Sequence, residues 1–157
     1  IETVSVGSTP TSRFGFAHKG ITEARPGNYV YLDRTQAGLG TCSFDDCAMT
    51  ILATVQSVSG AERAVLDSGS KTLALDMLRP KADGYGLVVG TDSRLTSLSE
   101  EHGVVAVAPG DAFTVGQRVR VLPNHACVVS NLHDRVYGVR GERVEAVFEV
   151  AARGCVY

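Results

Sequence analysis

Apolar residues recur at every second position in short runs along most of this chain, and polar, Gly-rich breaks separate the runs. That period predicts strands at residues 2–6 ("ETVSV"), 28–34 ("NYVYLDR"), 47–59 ("CAMTILATVQSVS") and 63–67 ("RAVLD"). Further strands are predicted at 85–89, 103–108, 118–123, 135–140 and 143–152. The "VRGERV" turn around Gly141 joins the last two as a hairpin. Helical spacing is confined to residues 11–20 and a short turn near 95–101. Many short strands with Gly-rich turns predict a mainly β fold, barrel- or sandwich-like. The β pattern is continuous after about residue 30, whereas residues 1–30 mix a strand, a Gly/Ser/Thr loop and a short helix.

Composition narrows the class. A chain of 157 residues can bury a core of its own, and 44% hydrophobic with 20% charged residues is ordinary for a globular protein. A net charge of -2 with a pI near 6.1 argues against nucleic acid or an anionic membrane surface as partner. No apolar run approaches the roughly 20 residues needed to span a bilayer. The opening "IETVSVGS" has neither a basic nor an apolar region of a signal peptide, and no initiator Met, so a piece of a longer, cytoplasmic protein is expected. Four cysteines (Cys42, Cys47, Cys127, Cys155) are expected to be reduced thiols.

Candidate chemistry gathers in "PNHACVVSNLHD", residues 123–134. His125 and Cys127 are two apart, and an extended backbone would put both side chains on one face. Imidazole with thiolate favours zinc over magnesium or calcium. Two protein ligands leave positions open, as a catalytic ion requires. On spacing alone, a buried cysteine beside a surface histidine explains the pattern better. Cys42 and Cys47 in "CSFDDC" offer two more sulfurs, which would close a structural four-ligand site instead. His133 and Asp134 read as a polar loop. Gly7, Ser8 and Thr9 in "VGSTPTS" form a small-residue loop able to cradle a phosphate, or an ordinary turn.

The segments "VGSTPT", "GITEARPGNYVYLDRTQ", "VLDSGSKTLALD", "SLSEEHGVV" and "LPNHACVVSNLHD…EAVFEVAARG" resemble, in the same order, the C-terminal part of the D-serine dehydratase and D-threonine aldolase family. These are pyridoxal-phosphate enzymes similar to alanine racemase. The resemblance implies that residues 1–30 are the closing segment of a (β/α)8 barrel and residues 31–157 a β domain. It implies His125 and Cys127 as metal ligands and Gly7, Ser8 and Thr9 as contacts to the cofactor phosphate, in a loop poorer in glycine than the family's. His-Ala-Cys looks like the dehydratase members, whose ion is zinc, whereas His-Cys-Asp marks aldolases, where carboxylate suits manganese or magnesium.

The implied reaction is loss of water from D-serine, giving pyruvate and ammonia, with a Lewis-acid ion on the β-hydroxyl; an aldolase would cleave Cα–Cβ instead. The Schiff-base lysine lies early in the family's barrel. Of Lys19, Lys71 and Lys81, the one nearest a strand, Lys71, reads as structural, so this chain alone is expected to be inactive. Glu100, Glu101 and His102 offer a general acid/base set, or more simply a solvated turn. His18 is expected on a polar face. A small D-amino acid, the missing barrel and a second copy in a homodimer are the implied partners. A β-barrel binding or dimerisation module with a structural zinc is the reading from a different class.

Overall fold

The computed structural model describes residues 2–15, 17–78 and 83–155. Its elements run β1 (Ser5–Val6), α1 (Ser12–Gly15), β2 (Glu23–Ala24), a 3-10 turn (Asn28–Val30), α2 (Arg34–Gly38) and a second 3-10 turn (Phe44–Asp46). Then come β3 (Ile51–Ser59), β4 (Arg63–Leu66), α3 (Ser70–Leu73), β5 (Gly86–Val88), β6 (Arg94–Leu98) and β7 (Gly103–Ala106). The chain continues through β8 (Arg118–Pro123), α4 (Ala126–Leu132), β9 (Arg135–Arg140) and β10 (Arg143–Glu149).

Six strands close into an antiparallel barrel in the order β3-β4-β7-β6-β5-β8. Every second residue points inward: Ala53 and Val55 on β3, Ala64 and Leu66 on β4, Val88 on β5, Val105 on β7, Val119 and Val121 on β8. With Leu95, Leu73 and Phe113 they form the main core. A barrel this narrow needs small residues among the large ones. A Cβ on Gly86 would stand 2.7 Å from Val121 Cγ1, and one on Gly103 2.6 Å from Leu95 Cδ2. Bulges in β3 (Val55/Ser57) and β6 (Leu95/Ser97) add the bending that closure requires.

Outside the barrel, β1 and β2 pair in parallel, and β9 and β10 form the expected antiparallel hairpin. The hairpin presents Tyr137, Val139, Val144, Val147 and Phe148 to solvent.

Three sequence expectations are corrected. Residues 28–34 are not a strand. Tyr31 and Leu32 donate to the Asn28 carbonyl in a tight turn, Leu32 sits at φ 55°, and Asp33 begins α2. Local alternation loses there to long-range hydrogen bonds described below. Residues 94–98 are β6 rather than a helical turn, because the bulge at Leu95/Ser97 breaks the two-residue period that would have marked a strand. Residues 126–132 are helical, not extended. Ala126 and Val129, one turn apart, pack on Met49 with Tyr31, Ile51 and Val136 around them.

Gly84 is fixed by both sterics and backbone conformation. Gly84 has φ +73°, a Cβ there would collide with the Leu95 carbonyl, and its own carbonyl accepts from Leu78 N and Asn124 Nδ2. Gly90 has φ +80° with open space around it. Urea unfolding of Gly90→Ala is expected to show a loss of about 1–2 kcal/mol, the left-handed penalty alone. Gly84→Ala is expected to lose at least about twice that, since strain and collision add.

Candidate metal centre

The end of β8 delivers the histidine-cysteine cluster. Gly86 and Ile51 pair with Pro123 and Val121, so the site stands at the barrel end where β8 finishes and β3 and β5 begin. Beyond Pro123 the chain enters a polar knot tied by two buried side chains.

The first is Asn124, 2% exposed. Its Nδ2 donates to the carbonyls of Asp76 (2.8 Å) and Gly84 (2.7 Å). Its Oδ1 accepts from Arg34 Nη1 at 3.3 Å. Its carbonyl accepts from Thr35 through both Oγ1 (2.6 Å) and N (3.3 Å). The second is Asp33, 0% exposed. Its Oδ1 caps α2 by accepting from Gln36 N at 2.9 Å, and its Oδ2 accepts from Ala126 N at 2.9 Å and Asn28 Nδ2 at 2.5 Å. One buried carboxylate thus serves the first turns of two helices, where backbone N–H groups lack partners and carry partial positive charge.

His125 occupies the N-cap position of α4 in extended conformation, and Cys127 is the second residue of that helix. Both side chains are accessible: His125 is half-exposed and Cys127 exposed. The buried-cysteine alternative is therefore not what the structure contains. His125 Nδ1 lies 2.5 Å from Asp76 Oδ2. With the proton on Nδ1 donated to that carboxylate, the Nε2 lone pair is free for a metal, the carboxylate–histidine pairing that orients metal-binding imidazoles. Asp76 was missed in the sequence because 49 residues separate it from His125; Asn124, gripping the Asp76 carbonyl, brings the two together.

At Cys127, partial desolvation first and the Asp33 carboxylate second push the thiol up from its ordinary value. Among the described residues no group of three or more His, Cys, Asp or Glu side chains is arranged to hold an ion. The four-ligand site built from Cys42, Cys47, His125 and Cys127 is accordingly not formed. The donor set that remains, one imidazole with its far nitrogen anchored and one accessible thiol, fits a zinc ion with positions left for other ligands.

The other candidates have structural employment. Cys42 and Cys47 adjoin each other; burial first and the neighbouring Cys42 second raise Cys47 to about 12, and burial raises Cys42 as well. His133 Nε2 contacts the Thr72 carbonyl at 3.2 Å, and Asp134 pairs with Arg153 at 2.8 Å. Glu101 forms an exposed ion pair with Lys71 at 2.5 Å. The Ser99 and Glu100 carbonyls accept from Ser70 N and Lys71 N, and His102 N donates to Ser99 Oγ, so "SEEHG" is a turn that seats α3. Lys81 lies outside the described residues. In the loop after β1, the Thr9 hydroxyl accepts from Tyr29 N at 3.1 Å and Ser8 Oγ pairs with Thr11 Oγ1 at 2.9 Å. A Cβ on Gly7 would meet the Arg25 carbonyl at 2.9 Å, so the β1–β2 approach requires glycine there.

Known proteins share this fold. Residues 48–139 match the family model described as "Putative serine dehydratase domain", a span that contains the barrel and α4. D-threo-3-hydroxyaspartate dehydratase of Delftia sp. (strain HT23) is 40% identical over 143 residues, which is 79% of this chain but 37% of the dehydratase. Its solved structure aligns over 94% of this chain and 43% of that one, with a TM-score of 0.82 at 32% identity. Two further structures of a dehydratase of that name carry a histidine-to-alanine and a cysteine-to-alanine exchange two positions apart, and the cysteine variant is in a metal-free form. D-threonine aldolase from Filomicrobium marinum aligns over 99% of this chain and 43% of its own, with a TM-score of 0.84 at 28% identity. An uncharacterised Mycobacterium tuberculosis protein is 46% identical over 130 residues, 78% of this chain and 96% of its own length. The chain therefore spans well under half of the dehydratase and aldolase and nearly all of the mycobacterial protein.

The knot carries an acid sensitivity. Arg34, 4% exposed, donates to Asp83 Oδ2 at 2.6 Å, and Arg94 pairs with the other Asp83 oxygen. Burial would raise the Asp83 carboxyl, but the Arg94 and Arg34 guanidinium groups outweigh it and hold it below the usual range. A carboxyl depressed in the fold stabilises above its unfolded value of about 3.9 and stops doing so as pH falls through its folded value. Urea unfolding at pH 7 is expected to show Asp83→Asn about 3–5 kcal/mol less stable, because the buried Arg34 charge is left without a carboxylate partner. The gap is expected to shrink below about pH 4 as the wild-type carboxyl protonates.

Proposed function

The chain belongs to the serine dehydratase domain family, and from that premise we propose that it is the metal-bearing C-terminal part of a pyridoxal-phosphate lyase that removes water from D-β-hydroxy amino acids, D-serine first among them. The observation that carries this reading is the His125–Cys127 pair at the start of α4, with the imidazole anchored by Asp76. The paired exchanges in the dehydratase structures, two positions apart, support it, as does the metal-free form of the cysteine variant. A thiolate in the second position favours zinc and the dehydratase reaction over an oxygen-ligated ion and the aldolase one.

His125 Nε2 and Cys127 Sγ would hold the ion, and Asp76 keeps the imidazole in the tautomer that can bind it. Zinc there supplies Lewis acidity that makes the β-hydroxyl a better leaving group. Pyridoxal phosphate supplies the electron sink that acidifies the α-carbon. Gly7, Ser8 and Thr9 would line its phosphate, with the loop braced by the Tyr29 N–H that the Thr9 hydroxyl accepts. The parallel β1–β2 pair supports residues 1–30 as the closing segment of a (β/α)8 barrel, with residues 31–157 as the β domain. The reactive lysine is assigned to the remainder of that barrel, since Lys71 is held by Glu101. A homodimer in the cytoplasm completes the proposal; no helix among the described residues is long and apolar enough to cross a membrane.

A second reading rests on the short mycobacterial relative, which consists almost wholly of this module. In that reading the β domain is a binding or dimerisation unit that performs no chemistry.

Metal analysis and assay of the intact protein separate the readings. Wild type and Cys42→Ala are expected to carry one zinc per chain, and His125→Ala and Cys127→Ala none. Pyruvate is expected from D-serine, and its loss in both metal-free variants with retained fold. Glycine from D-threonine would favour the aldolase, oxaloacetate from D-threo-3-hydroxyaspartate would change the substrate, and no product with bound metal would favour the non-catalytic module.

A further inference from the structure

Among the described residues, two other than glycine have positive φ: Leu32 at 55° and Ala74 at 62°. Each leads into a carboxylate of the site, Asp33 directly after Leu32 and Asp76 two positions after Ala74. Leu32 is accounted for by its own turn, in which its N–H and that of Tyr31 share the Asn28 carbonyl. Ala74 is the sharper case, because its ψ of -172° puts it in a region that essentially only glycine occupies. Strain of that kind persists where the surrounding structure over-determines the backbone.

Leu73 and Leu78 are buried, but Leu75 is 63% exposed and Met77 41% exposed, so packing holds the two ends of this segment and not its middle. The middle is held at Asp76. Its carbonyl accepts from Asn124 Nδ2 at 2.8 Å, and its carboxylate meets His125 Nδ1 at 2.5 Å. Ala74 N closes α3 on the Ser70 carbonyl at 2.9 Å, so the turn out of the helix falls on Ala74 and leaves two residues in which to reach the imidazole.

We propose that Ala74 is a positioning residue for the metal centre: its left-handed backbone turns the chain out of α3 so that Asp76 meets His125 Nδ1. The inference rests on the metal reading of His125 and Cys127. Cause runs from backbone to tautomer. Asp76 accepts the Nδ1 proton, which leaves the Nε2 lone pair free. With Asp76 turned away, the ring returns to the tautomer that imidazole side chains favour in water, and the nitrogen assigned to the ion carries the proton. The two attachments of Asp76 offset the strain at Ala74, and a residue that cannot sustain positive φ undoes both.

The test reads the ring by nitrogen-15 NMR of the intact, metal-free protein, with the His125 signals assigned by their loss in His125→Ala. In the neutral ring, wild type and Ala74→Gly are expected to carry the proton on Nδ1, since glycine takes this backbone without strain. Ala74→Val is expected to carry it on Nε2, as is Asp76→Ala, because a β-branched residue is driven out of positive φ. Ala74→Leu serves if the valine variant fails to fold. Zinc affinity is expected to fall about 10–100-fold in Ala74→Val, the usual cost of losing an outer partner of a ligand, and to fall no further when Asp76→Ala is added. A wild-type ring protonated on Nε2, or a folded valine or leucine variant still protonated on Nδ1, overturns the proposal. So does loss of the Nδ1 proton in Ala74→Gly, or a further loss of affinity in the double variant, which would route the effect through the fold and not through Asp76. Wild type that shows the Nδ1 proton yet binds no zinc overturns the metal reading, and the proposal with it.

Discussion

The Asp33 carboxylate is the constraint from which the site follows. It is wholly buried, and an ion there is tolerated only because three N–H groups meet it: Gln36, Ala126 and the Asn28 side chain. Two of those donors belong to the open first turns of α2 and α4, so the charge and the helix ends offset each other's burial. Ala126 is the residue between His125 and Cys127. Asp33 therefore pins the spacer of the candidate pair, and the flanking side chains are left to point outward from a fixed backbone. Removing the carboxylate would orphan an N–H at the start of each helix and release the site at once.

The closed barrel gives that knot something rigid to be tied to. A two-residue chain excursion such as Asn124–His125 could adopt many conformations after an open edge strand. Here it leaves β8, which is paired on both sides by β3 and β5, and Asn124 then fastens the exit to the carbonyls of Asp76 and Gly84. The Asp83 carboxylate, held by Arg34 and Arg94, closes the same end from the β5 and β6 side. Side chains from four separate stretches thus converge within a single hydrogen-bonded unit, whose bonds strengthen one another in the low-dielectric interior. Arg34 Nε and Gln36 Oε1 lack partners among the described residues, which marks where the unit is least complete.

What the sequence made legible was whatever depends on local period. The inward alternation of Ala53 and Val55, Ala64 and Leu66, Val119 and Val121 reads directly as strands, and these strands build the barrel. The His-x-Cys pair was legible by residue type, because few other roles combine an imidazole and a thiol so closely. Its local geometry was not. Val128 and Val129 carry no strong helix preference, and α4 exists because Ala126 and Val129 pack on Met49 while Asp33 holds Ala126 N. "NYVYLDR" failed the other way: its alternation is sound, but Asp33 is needed inside, and a strand would not deliver it there. Asp76 was invisible as a site residue since its relation to His125 exists only through the tertiary knot.

Geometry and electrostatics pull in opposite directions at Cys127. The buried Asp33 charge that sets the position of α4 also disfavours a thiolate on its second residue, and burial adds to that effect. Were position the only demand, a neutral cap such as serine at the place of Asp33 would hold the helix with less opposition to the sulfur's charge. A serine hydroxyl, however, could not receive Gln36, Ala126 and Asn28 together. The carboxylate thus suits the place by the number of N–H groups it can gather. On that view the three residues Asn28, Asp33 and Ala126 form the smallest unit in which a helix start and a buried charge are mutually compatible.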